Sequence, residues 1–159
     1  MSLRTALFLL ALPLLGLGCS SDAPDPSASG PSFEDGRLAF VGPANDTLAT
    51  IAIAIADTEA ERGRGLMRQR SLGYDRGMLF IFDEPNTTGM WMKNTPLPLD
   101  IVFVAPDSQV INIARRTTPF SEENISPDAP STFAVEVRAG FADKFGLGPN
   151  ARIRWTRTD

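Results

Sequence analysis

The chain has 159 residues, 43% of them hydrophobic, and a formal net charge of −4 from 19 acids and 15 bases. That length supplies one domain's core, and the acidic balance argues against nucleic acid or anionic lipid as the main partner. With no histidine and a single cysteine, a Ser-His-Asp triad, a Cys-His pair, an ordinary zinc site and any intrachain disulfide are excluded.

The chain opens with Arg4, an apolar run from Ala6 to Leu17, and Gly18-Cys19. This is the layout of a secretory signal peptide over residues 1–18. The run falls short of the roughly 20 residues that span a bilayer. The position of Cys19 resembles a bacterial lipobox, although Gly16 stands where the usual leucine would be. The expectation is an exported protein, lipid-anchored through Cys19 to a membrane of the cell envelope and facing the periplasm. Residues 19–36 are rich in Pro, Ser, Gly and acid, cannot bury enough apolar surface to order themselves, and are predicted to be a disordered tether. Residues 37–159 then form a single β-rich domain.

Arg37 to Val41 and Leu48 to Ala56 are predicted strands, the second with Ile51, Ile53 and Ile55 on one face, paired across the Gly42 to Asp46 turn. Thr58-Glu59-Ala60-Glu61 is a capping box that opens a short N-terminal helix running from Glu59 to about Arg70. Gly63 and Gly65 each cost it up to ~1 kcal/mol against alanine, which predicts close packing. Arg62, Arg64, Arg68 and Arg70 form a solvated face, or one or two of them reach an anionic ligand or a buried carboxylate.

Met78 to Phe82 is a nearly continuous apolar strand. The segment Gly89 to Asp100 packs Met90, Trp91 and Met92 beside Lys93, Asn94, Thr95 and Asp100. Apolar bulk beside converging polar groups is the composition of a ligand pocket. Pro96 and Pro98 bar a regular ladder, so strand is predicted to about Lys93, then a bend, then strand from Leu99. Gln109 to Ala114 is another strand and Arg115 to Ser131 a long loop. Thr132 to Arg138 alternates, with Phe133, Val135 and Val137 opposite Glu136. Helical turns near Gly140 to Gly148 and a last strand from Ala151 to Thr156 follow. The fold expected is mostly β with minor α, a small barrel or sandwich of about seven strands.

Glu61-Arg62, Gly65-Leu66-Met67 with arginine beyond, Gly77-Met78-Leu79-Phe80-x-Phe82, Met92-Lys93-Asn94-Thr95-x-x-Pro98-Leu99-Asp100 and Glu136 before Gly140 together resemble the family called domain of unknown function 192. The resemblance runs from about Ile51 to Ile153. It implies a compact, mainly β domain with one short helix, often secreted or lipid-anchored, and with no activity firmly attached.

Three chemistries fit these residues. The leading one is binding of a small molecule or glycan, with Arg62, Met67, Arg68, Trp91, Lys93, Asn94, Thr95, Asp100 and Glu136 as candidate ligand residues and no cofactor. The second is hydrolysis of cell wall or glycan, with Asp100 and Glu136 as catalytic candidates, a pairing that needs carboxyls ~5–9 Å apart across a cleft. The plainer reading of that pair is a salt-bridged network with Lys93 and Arg62 as partners. The third is copper or silver binding through Met90 and Met92, since thioethers select soft cations. A role as accessory to another envelope protein predicts an exposed apolar patch.

Overall fold

The computed structural model describes residues 30–158. The leader, Cys19 and most of the tether lie outside the described residues. The domain is a seven-stranded sheet with two short helices: β1 (Gly36–Val41), β2 (Thr47–Ala56), α1 (Glu59–Arg64), β3 (Arg76–Asn86), β4 (Leu99–Val104), β5 (Val110–Ala114), β6 (Ser131–Arg138), α2 (Phe141–Phe145) and β7 (Arg152–Arg157). The strand order is β5-β4-β6-β3-β2-β1-β7. Only β2 and β3 run parallel among the paired strands. A parallel pair needs a long crossover, and here α1 and the turns after it supply it.

The sheet curls into a half-barrel until its two outer strands touch at one end. Val110 donates to the Ala151 carbonyl and Ile153 to that of Ser108, both at 2.9 Å. Strand alternation then divides the apolar residues into two cores. Leu38, Ile51, Ile53, Leu79, Val102, Val135 and Val137 fill the concave side, where α2 drops Phe141 onto Phe40 with ring centroids 5.3 Å apart. Ala54, Met78, Phe80, Ile101, Phe103 and Ala134 line the convex side. That side is covered by the crossover and by the two long loops around β4.

Two expected elements are shorter than anticipated. The helix from Glu59 stops at Arg64 instead of continuing to about Arg70, because Gly65 turns into φ 48°, ψ −137° and its N–H closes on the Glu61 carbonyl. The capping box at its start is present, Thr58 bonding with Glu61 in both directions. The strand anticipated up to Lys93 is also absent. β3 ends at Asn86, and the chain beyond it bonds to the loop before β6: Met90 exchanges hydrogen bonds with Ile125 at 2.8 and 2.9 Å, and Met92 donates to Ser121. Among the described residues no helix is long and apolar enough to cross a membrane.

Candidate functional site

The clamp between the two loops leaves a cavity of about 560 Å³ over the convex side of β3 and β6. The crossover forms one wall with Arg62, Leu66 and Met67, the 86–95 segment forms another with Met90, Trp91 and Thr95, and Phe80 and Phe82 rise from β3. Asn86, Thr88, Glu122 and Asn124 add polar groups. Trp91 is 48% exposed although it belongs to the lining, which puts it at the mouth.

Glu136 also lines this cavity. It faces the convex side because it alternates with Val135 and Val137, and its strand neighbours are Met78 and Ile101. The side chain is buried, and its Oε2 has no hydrogen-bond partner among the described residues. Burial in these apolar surroundings pushes the carboxyl up from an ordinary 4.5 to about 8, with the backbone N–H of Leu66 opposing the shift. Desolvation wins because no cation offsets it. At neutral pH the group is therefore an acid that carries its proton and can donate it to an acceptor in the cavity. Gly65 packs closely over this acid: a Cβ there would sit 3.1 Å from the Phe80 Cζ and 3.5 Å from the Glu136 Oε2.

The remaining sequence-derived candidates divide. Arg62, Met67, Met90, Trp91, Thr95 and Glu136 converge on the cavity, whereas Arg68, Met92, Lys93, Asn94 and Asp100 are not among its lining residues. Arg62 is committed elsewhere, bonding the Asp57 and Ile81 carbonyls at 2.6 and 2.9 Å and pairing with Asp83. Lys93 pairs with Glu122 at 3.4 Å and lies 5.3 Å from the Trp91 ring centroid. Arg68 and Asn94 both adopt positive φ, and the Arg68 N–H donates to the Asn94 carbonyl, so this pair shapes the loop corner.

Asp100 corrects two expectations. It faces the concave side, fully buried, with Oδ1 accepting from the Arg116 N–H at 2.8 Å and Oδ2 from the Ala142 N–H at 2.9 Å. Neither it nor Glu136 has Lys93 or Arg62 as a partner, so the anticipated salt-bridged network does not form. The hydrolase pairing fails as well. Asp100 and Glu136 sit on adjacent strands one register position apart and on opposite faces of the sheet, so they cannot flank one bond.

The soft-metal pairing also separates. The Met92 sulfur is buried in the convex core and accepts from the Thr117 hydroxyl at 3.1 Å, while Met90 faces the cavity. Among the described residues no group of three acids or cysteines is placed to hold a metal. Sequence reasoning missed Phe80 and Phe82, which rise from β3, and Asn86, Thr88, Glu122 and Asn124, which come together where the loop before β6 folds back on the 86–95 segment.

Two crystal structures are similar to this chain. One is of a Sinorhizobium meliloti protein that carries a provisional label as a transcription regulator, with a TM-score of 0.74, 31% identity, and coverage of 80% of this chain and 96% of that one. The other is of a protein of unknown function from Novosphingobium aromaticivorans, with a TM-score of 0.71, 32% identity, and coverage of 75% and 84%. No curated protein matches. The model of the family DUF192, described as uncharacterised ACR, matches residues 41–155, the segment that holds β2 to β6 and both walls of the cavity, and the chain belongs to that family.

Proposed function

We propose that this protein is a cell-envelope lipoprotein whose domain binds a small, largely apolar molecule bearing one polar pole. The observation that carries the reading is the buried, unpartnered Oε2 of Glu136, a residue in the lining of the 560 Å³ cavity beside Phe80 and Leu66. A buried polar atom without a partner costs about 1–3 kcal/mol, and a ligand oxygen accepting from the protonated carboxyl removes that cost. Phe80, Phe82, Met67 and Met90 bury the body of the ligand, and Trp91 covers it at the mouth. A glycan fits less well, because its hydroxyls would meet polar groups at Asn86, Thr88, Glu122 and Asn124 but none along the walls made by Met67, Phe80, Phe82 and Met90. Placement in the envelope rests on the leader and Cys19 of the sequence.

The test is the melting temperature of the purified protein against a panel of cell-wall fragments, oligosaccharides and small amphiphiles, repeated with W91A and E136Q. A ligand at about 100 times its Kd stabilises by about 2.7 kcal/mol, a rise of several degrees. The expected hit is an amphiphile whose shift falls in both variants. A panel with no shift, or one whose shift survives in both variants, overturns the reading.

A further inference from the structure

A second concavity shares no residue with the first. It is a cleft of about 400 Å³ lined by Arg70, Tyr74, Arg116 and Arg138, with Leu72 and Leu97 as apolar wall. The guanidinium of Arg138 lies 4.7 Å from the Tyr74 ring centroid, and the ammonium of Lys144 lies 5.2 Å from the same ring. Arg116 shares Asp143 with Arg115, through contacts of 2.6 and 2.8 Å.

Charge is the unusual feature. Arg70, Arg115, Arg116, Arg138 and Lys144 converge here in a chain of net charge −4. Among the described residues Asp143 is the one carboxylate with which any of the five forms a salt bridge. All five are solvent-exposed, so the cluster is open to an anion from solution. Their orientation is also prearranged. The backbone N–H of Arg116 is fixed on the buried Asp100, and Arg138 is stacked on Tyr74. Gly140, at φ 82°, leaves the cleft open: a Cβ there would meet the Arg116 guanidinium at 3.1 Å and the Tyr74 hydroxyl at 3.5 Å.

We propose that this cleft binds a phosphate group through Arg70, Arg116 and Arg138. Planar guanidinium forks match phosphate oxygens two at a time, and several forks around one point favour a tetrahedral anion over a single planar carboxylate. Leu72 and Leu97 offer contact to the body that carries the phosphate, which is either a soluble metabolite or a lipid headgroup.

The experiment measures melting temperature in inorganic phosphate against sodium chloride of matched ionic strength, for the intact protein, R70Q and the R70Q/R138Q double variant. Neither arginine has a salt-bridge partner among the described residues, so both variants should melt near the parent temperature in chloride, which checks that they fold. Expected is a saturable rise in phosphate beyond that in chloride, reduced in R70Q and lost in the double variant. A second arm sediments the protein with phosphatidylcholine vesicles with and without phosphatidic acid, at about 0.15 M salt so that diffuse attraction is screened beyond about 8 Å. A response to free phosphate assigns a soluble ligand. Extra sedimentation with phosphatidic acid alone, lost in the double variant, assigns a headgroup. No response in either arm, or a response that survives in the double variant, overturns the proposal.

Discussion

Replacing Glu136 with glutamine keeps the side chain's shape and removes its proton equilibrium, so it isolates what the buried carboxyl costs. The unfolded chain ionises this glutamate near 4.5, whereas the folded chain holds the proton up to about 8. Between those values the native state binds one more proton than the unfolded state. Its contribution is therefore fully present below the lower value and is lost as pH rises, by about 1.4 kcal/mol per unit, until the folded carboxyl ionises too. From pH 5 to pH 7 the loss is about 3 kcal/mol, a large share of a typical stability of about 5–15 kcal/mol. Urea unfolding of both proteins at about pH 5, 6, 7 and 8 gives the difference in free energy, in which the other titrating groups cancel. The difference should move in favour of E136Q by about 3 kcal/mol between pH 5 and pH 7. A flat difference would mean that the carboxyl ionises as freely when folded as when unfolded, and the account of an orphaned acid in the cavity would be refuted.

Gly65→Ala should lower stability by about 1–3 kcal/mol, the cost of forcing a side chain into positive φ, read as a lower urea midpoint. The same change crowds Phe80 and Glu136, so a ligand found for the cavity should also bind more weakly, by titration calorimetry. Asp100→Asn replaces a carboxyl oxygen that accepts a buried N–H with an amide that must donate. It should cost about 2–3 kcal/mol with retained secondary structure, and stability equal to the parent's would show that these bonds contribute little.

The strands were legible because period-two alternation reports which way a side chain points, and Ile51, Ile53, Ile55, Val135 and Val137 do share the concave core. Alternation is silent about which strands become neighbours. The parallel pairing of β2 with β3 is set by the crossover, and the meeting of β5 with β7 by curvature accumulated over seven strands. The 87–98 segment misled for a related reason. Met92 does bury, but the backbone finds partners in the loop before β6, and a contact between two irregular segments leaves no periodic trace.

The site shows where that limit falls within a single pair of strands. Asp100 and Glu136 are both acids in apolar strands, and composition alone makes them equivalent. Their fates differ by one step of register: Asp100 turns inward to two N–H groups at the corners made by Arg116 and Ala142, whereas Glu136 turns outward beneath the crossover and meets none that satisfies its Oε2. Both Asp100 oxygens have a donor, while burial holds Glu136 in its neutral form against the single opposing N–H of Leu66. Replacing each with its amide should therefore destabilise the protein at Asp100, whereas at Glu136 it should remove the loss of stability that accompanies rising pH. An acid that the fold retains at such a cost, in the lining of a cavity and beneath a glycine that leaves no side chain over it, is better explained by what it meets in that cavity than by the packing around it.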